Sequence, residues 1–185
     1  ETEPGVQAQF DFKESFKKRM ALLEGLSEEV LHNVAVNLPI TKGAHRLMKA
    51  LKYYRYKTAI LSGGFTFFGD YLQKELGIDY VHANQLEIKD GKLTGNYIGE
   101  IVDGQKKADF LHVIADKEGI HINQTIAVGD GANDLPMLNL AGLGIAFHAK
   151  PTVKENAATS ISSLGLDGVL YLLGYHDRHI DMMEE

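Results

Sequence analysis

Residues 126–134 read Ile-Ala-Val-Gly-Asp-Gly-Ala-Asn-Asp. The first three are a buried-strand signal, and the next six put two acids and an amide on one short loop. In an open parallel sheet, ligands bind at the carboxyl ends of the strands. Two carboxylates on a tight loop there suit a hard divalent cation, which takes oxygen ligands and retains several waters. Gly129 and Gly131 let the backbone bend sharply and approach a ligand. Asp134 is placed to cap a helix over Leu135–Ala141, with Pro136 in its first turn and Gly142 at its stop. A plain strand–turn–helix corner with a capping aspartate accounts for one acid and gives Asp130 no task.

Around this loop the composition narrows the choices. A chain of 185 residues with 44% hydrophobic content can bury a real core, as one domain plus an elaboration. A net charge of -6 argues against a general nucleic-acid binder, which carries a basic excess. The small basic cluster Lys17-Lys18-Arg19 sits beside Glu14 and Glu24 on a helical pattern. The absence of cysteine excludes disulfides, thiolate catalysis and zinc–sulfur sites, and fits a reducing, cytoplasmic setting. No apolar run reaches the length of a membrane span. The chain opens on Glu1, so the lack of a signal peptide says little, and a leader or an earlier domain can precede it.

From residue 40 onward, apolar strands alternate with amphipathic helices, the pattern of a parallel α/β sheet. Upstream, Phe12, Phe16, Met20 and Leu23 recur at helical spacing with Asp11 as the expected cap, and Ser27 opens a second helix. A helix over 42–54 leads into a strand over 57–61 that ends in Ser62-Gly63-Gly64. Another helix runs to Leu76 and stops at Gly77. A strand over 78–83 follows, then a hairpin of 86–89 and 92–97 about Asp90-Gly91, the strongest turn signal in the chain. A helix over 105–117, a strand over 125–128, a strand over 143–146 and helices over 151–157 and 166–173 complete the pattern. The polar end, His176 to Asp181, is expected to fray, and a histidine pair there is a weaker candidate for a metal ligand than for an exposed tail.

Two further positions bear on chemistry. Ser62, followed by two glycines at a strand tip, offers a hydroxyl and backbone N–H groups to phosphate oxygens, although a Ser-Gly-Gly turn is common in α/β proteins. Lys107 lies at the start of a helix and can aim an ammonium at an anion. Lys106 is its equal on spacing, and a solvated surface lysine is the default for either. Phosphoryl transfer asks a protein mainly for positioning and for charge on the equatorial oxygens. A hydroxyl, a fixed cation and a metal-binding carboxylate are parts of that machinery.

In the order Ser62-Gly63-Gly64, Lys107, then Gly129-Asp130-Gly131-Ala132-Asn133-Asp134, the chain resembles motifs two, three and four of the haloacid dehalogenase-like phosphatases. Phe10-Asp11-Phe12 leading to Ser15 and Arg19, Phe65 after the glycines, Asp90 to Gly95, and Ile145 to Pro151 make it similar to the phosphoserine phosphatases over nearly its full length. P-type ion pumps share the acidic loop but need many membrane spans. The resemblance implies a HAD-like, Rossmann-like three-layer α/β fold with a parallel sheet, a small and partly missing helical cap over 1–40, a β-hairpin flap, and a core domain over 41–185. It also implies roles. Asp130 would bind Mg²⁺, with Asp134 supporting it from behind. Ser62 and the Gly63 backbone would hold phosphate oxygens, Lys107 would neutralise a phosphoaspartate, and Asn133 would contact phosphate or its water. Arg19 would grip the substrate carboxylate with its planar fork. On spacing alone Arg19 is equally a surface partner of Ser15 or Glu24. Phe12 is either core or a wall of the pocket.

Such phosphatases begin with a strand ending in Asp-x-Asp-x-Thr, whose first aspartate attacks phosphorus. No Asp-x-Asp ends an apolar run here, and Asp11 has the wrong context. The resemblance therefore implies that the nucleophile strand, central between those ending at Ser62 and Val128, lies upstream of Glu1, and that the residues given are inactive alone. The function implied is Mg²⁺-dependent hydrolysis of O-phosphoserine to serine and phosphate, the last step of serine biosynthesis, through an aspartyl-phosphate. The partner expected is a small molecule, with no nucleic acid, no membrane and a homodimer as one assembly open to it. Two alternatives are a non-catalytic phosphate-binding regulator and a phosphatase or phosphotransferase for another small metabolite.

Overall fold

The computed structural model describes residues 4–181, with side chains from residue 11 to residue 180. In chain order the elements are α1 (Pro4–Ala21), α2 (Glu28–Val36), α3 (Ala44–Tyr53), β1 (Ala59–Phe65), α4 (Thr66–Leu76), β2 (Tyr80–Lys89) and β3 (Lys92–Ile98). There follow α5 (Gly104–Lys117), β4 (Ile126–Gly129), α6 (Leu135–Leu140), β5 (Leu143–Phe147), α7 (Pro151–Lys154), β6 (Thr159–Ile161), α8 (Gly168–Leu172) and α9 (Asp177–Asp181). Among the described residues no helix is long and apolar enough to cross a membrane.

The strands fall into two three-stranded sets, β1-β2-β3 and β4-β5-β6. β1 pairs with β2 in parallel, as β4 does with β5 and β5 with β6, while β2 and β3 form an antiparallel hairpin. Among the described residues β1 and β4 each have one partner, so each shows an unpaired edge. Leu61 of β1 packs on the cluster formed by Ala127 of β4 with Leu111, Met137 and Leu138, so both edges border the same apolar cluster. The expected strand over 78–83 and first arm of the hairpin are one strand, β2, which changes partner midway. Asp90 and Gly91 make the hairpin turn, and both have positive φ. A two-residue hairpin turn of this kind needs left-handed backbone at both central positions, which glycine adopts at no steric cost.

Four clusters fill the interior of the described residues, the smallest of them Ala146, Ala149 and Val153. Phe16 and Met20, one turn apart on α1, meet Leu31 of α2 and Leu86 and Leu93 of the hairpin. Leu47, Ala50, Ile145, Ile161, Val169, Leu170 and Ile180 form the second, and the group around Ala127 the third. Burying a side chain of the Leu or Phe class stabilises a fold by roughly 1.5–3 kcal/mol, so these clusters fix how the helices sit on the strands.

Several expectations change. Asp11 does not cap α1, because the helix begins at Pro4 and Asp11 lies within it. Ser27 does cap α2, accepting from the Glu29 N–H at 3.2 Å. The end of the chain does not fray at 177–181: α9 forms there, Ile180 is buried in the core, and Arg46 of α3 holds Asp177 at 3.1 Å. That ion pair is long-range and has no local signal. Thr159–Ile161 forms a strand that was not expected, since three residues are too few to show a period.

Candidate active site

The acidic loop leaves β4 at Gly129, turns through a 3₁₀ segment, Ala132–Asp134, and enters α6. Asp134 is 6% exposed. Its Oδ2 accepts the N–H groups of Asp130 at 3.0 Å and Gly131 at 3.1 Å, and its Oδ1 accepts from Lys107 Nζ at 2.6 Å. The expected capping of α6 by this carboxylate is therefore wrong: it makes no cap bond to the helix. Pro136, second in the helix, has no N–H to offer, and the loop amides and the ammonium lie on the other side. Gly129 is required here, since a Cβ on it would lie 2.5 Å from Asp134 Cβ and 2.6 Å from Oδ2. The inner carboxylate is thus fully engaged. The Asp130 side chain stays exposed, with no hydrogen bond or ion pair among the described residues.

α5 delivers the cation. Asp103 starts the helix, with Oδ1 accepting from the Lys106 N–H at 2.9 Å. The buried stripe Ala108, Leu111, Ile114 and Ala115 turns one face inward, and Lys107 lies on that face. This geometry separates the two lysines. Lys106 turns outward to Glu100 and over the Phe110 ring, while Lys107, 5% exposed, turns in to Asp134. The partnership holds the Glu100 carboxyl below the usual carboxylate range and raises the Lys106 ammonium. Gly104 lets the helix start press on the acidic loop, because a Cβ there would lie 2.6 Å from the Asn133 carbonyl oxygen. Asn133 itself is exposed on the loop beside Asp130.

Ser62 and Gly63 lie inside β1 rather than after it. The ladder pairs Leu61 with His82 and then Phe65 with Asn84, so three residues on β1 oppose one on β2. This bulge lifts Ser62-Gly63-Gly64 from the pairing. Ser62 Oγ accepts the Gly64 N–H at 3.0 Å, and Asn84 Nδ2 donates to the Gly63 carbonyl at 2.9 Å. A Cβ on Gly63 would lie 3.5 Å from the Val102 carbonyl oxygen and 3.6 Å from Phe12 Cζ. The phosphate-loop candidate therefore touches both the segment that leads into α5 and the α1 helix. Phe12 is half-buried, packing on the Phe16 cluster while facing Gly63.

The structure joins Lys107, Asp130, Asn133 and Asp134 into one loop assembly and sets Ser62 and Gly63 beside the start of the lysine helix. It does not bring Arg19 to them. Arg19 is exposed and stands two turns further along α1 than Phe12. It lines an open cleft with Asp11, Glu14, Ser15, Lys18 and Leu22. It bonds to neither Ser15 nor Glu24 among the described residues. His179 Nδ1 accepts the His176 N–H at 3.2 Å, and among the described residues no three acids or histidines gather to hold a metal. Asn84, 1% exposed, belongs to this site and was not among the expected residues. Its signal was available: an amide directly after the apolar run of a strand, at the same sheet end as Ser62.

Mg²⁺ commonly takes one or two carboxylates, with substrate oxygens and water completing the set. An exposed Asp130 carboxylate held on a rigid loop fits that demand for one protein ligand. Residues 7–139 match the family described as haloacid dehalogenase-like hydrolase. A phosphoserine phosphatase of Streptomyces coelicolor is 49% identical over 173 residues, which cover 94% of this chain and 42% of that protein. The unliganded structure of a probable phosphoserine phosphatase from Vibrio cholerae superposes with a TM-score of 0.86 at 44% identity, over 92% of this chain and 53% of that one. A substrate-bound phosphoserine phosphatase complex gives a TM-score of 0.82 at 42% identity, over 87% and 77%. The chain spans about half the length of the curated relatives it matches.

Proposed function

The chain belongs to the phosphoserine phosphatases of the haloacid dehalogenase-like hydrolase family, and we propose that the protein it forms part of hydrolyses O-phosphoserine to serine and phosphate with Mg²⁺. The observation that carries this reading is the Lys107–Asp134 pair: it locks the acidic loop with two N–H groups on the inner carboxylate and leaves the outer one, Asp130, free for a metal.

In this reading Asp130 holds the metal, which supplies charge that screens the phosphoryl oxygens from an attacking carboxylate. Ser62 Oγ and the Gly63 N–H hold two of those oxygens, and Lys107 sets a fixed positive charge beside the third. Asn133 donates its amide to phosphate or to the water that replaces it. Arg19 receives the substrate carboxylate on closure of α1 over the phosphate loop, a contact supported by Phe12 already facing Gly63. A carboxylate attacks phosphorus, the P–O bond to serine breaks, and the serine oxygen takes a proton; water then releases phosphate from the aspartyl-phosphate. We place that nucleophile on one further strand, parallel to β1 and β4 and hydrogen-bonded to the unpaired edge of each, with 1–40 as part of the cap and 41–185 as the rest of the core.

The test is the complete polypeptide with phosphoserine, phosphothreonine and sugar phosphates. Asp130→Asn should lower kcat on phosphoserine by about 100-fold or more and abolish the Mg²⁺ dependence, as loss of a main electrostatic contributor does. Full activity in Asp130→Asn removes the metal assignment, and equal rates on every substrate remove phosphoserine.

A further inference from the structure

Among the described residues, Asn84 is the one fully buried polar side chain of its size, at 1% exposure, and the mechanism above gives it no task. It stands on β2 where the parallel ladder with β1 ends. The bulge at 62–64 withdraws the Gly63 carbonyl from that ladder, and a partly buried carbonyl is best satisfied by another donor. Asn84 Nδ2 is that donor, at 2.9 Å. The other end of the same amide, Oδ1, accepts the Val102 N–H at 2.8 Å. The orientation of the amide is unambiguous, since a carbonyl can only accept and an N–H can only donate.

The two backbone groups it joins belong to the two halves of the site. Gly63 carries the N–H offered to phosphate. Val102 precedes Asp103, whose carboxylate caps α5 and whose carbonyl accepts the Lys107 N–H at 3.0 Å. One turn of helix therefore separates the Val102 anchor from the ammonium. Resting on the phosphatase reading, we propose that Asn84 is a positioning residue: it ties the Ser62-Gly63 phosphate loop to the head of α5 and so sets the spacing between the phosphate N–H groups and Lys107. Asparagine is suited to this because its side chain donates and accepts along one short plane. Aspartate accepts without donating, and leucine does neither.

The experiment measures inhibition of the complete polypeptide by inorganic phosphate, kcat and KM on phosphoserine, and Tm, for native protein, Asn84→Asp, Asn84→Leu and the control Thr125→Val. Thr125 is 8% exposed, donates to the Ile122 carbonyl at 2.6 Å and accepts the Gly142 N–H at 3.4 Å, away from the phosphate loop, so the control reports loss of buried hydrogen bonds as such. Both Asn84 variants should weaken phosphate inhibition and lower kcat/KM by about two- to tenfold, the range for one net hydrogen bond. Thr125→Val should lower Tm with phosphate inhibition unchanged. Asn84→Asp keeps the Val102 bond and serves for the comparison if Asn84→Leu does not fold. Native protein that phosphate does not inhibit overturns the phosphatase reading. Native protein that it does inhibit, with Asn84 variants inhibited equally, overturns this inference alone.

Discussion

Replacing Lys107 with methionine removes the ammonium that faces Asp134 and keeps a stem of similar length. The two side chains are 6% and 9% exposed and stand 2.6 Å apart, so water cannot replace the lost partner without opening the loop. Breaking such a pair costs about 3–5 kcal/mol, because one charge stays buried alone. Asp134 Oδ2 keeps the N–H groups of Asp130 and Gly131. That places the expected loss near the low end, about 3 kcal/mol. A chain of this size changes Tm by about 2–4 °C per kcal/mol, so Lys107→Met should melt about 6–12 °C below native protein. Urea titration and calorimetry of native protein, the single variants Lys107→Met and Asp134→Asn, and the double variant Lys107→Met/Asp134→Asn complete a thermodynamic cycle. An asparagine at 134 is neutral and can still accept from the loop amides, so the double variant should regain more than half of the loss. The single variant lying within about 0.5 kcal/mol of native protein would refute the buried-pair argument, as would a double variant no more stable than the single one.

Other outcomes are expected from the same geometry. Gly129→Ala puts a Cβ 2.5 Å from that of Asp134. The overlap should displace the carboxylate from Lys107, so phosphatase rate and Tm should fall together in parallel assays. Asp130→Asn, by contrast, touches an exposed side chain. It should leave the melting curve close to that of native protein while Mg²⁺ dependence vanishes, a split that calorimetry and a Mg²⁺ titration separate. Burial and then the nearby Lys117 charge push the His82 pKa below its usual value. The unfolded chain thus binds a proton more readily, and His82 favours folding above about pH 6.5, with that contribution lost as pH falls through the lower folded value. His82→Gln should flatten the acid side of a Tm-against-pH curve; an unchanged slope would exclude His82 as its source.

The sequence revealed what local rules govern. The Asp90-Gly91 turn, the Ser27 cap and the Gly77 stop are written in adjacent residues, and all three are where the spacing puts them. The residues of the acidic loop were legible too, as was Lys107, though not its separation from Lys106. That separation depends on which face of α5 is buried, and here a lysine shares the face with Ala108 and Leu111 against the usual pattern. Asp134 makes no cap bond because Lys107, 27 residues earlier in the chain, and the loop amides take its oxygens, a long-range arrangement without a local signal. The order in α9 rests on Ile180 in the core and on Arg46, more than a hundred residues away in the chain, a pairing that no window of sequence contains. The position of Asn84 carried a signal, an amide at the sheet end of Ser62, but its task did not, because its two partners are backbone atoms on other segments.

β2 belongs to two ladders at once, parallel to β1 as far as Asn84 and antiparallel to β3 from Gln85 onward, with the change of partner directly after Asn84. Such a strand carries the hairpin and the border of the phosphate loop on one backbone. Its long arm ends at Lys89 and bears the hairpin on which Phe16 and Met20 of α1 ride. At about 3.4 Å per residue that arm is about 17 Å long. One strand thus runs from the α1 side chains to the border of the phosphate loop, so the seating of the one helps fix the placing of the other.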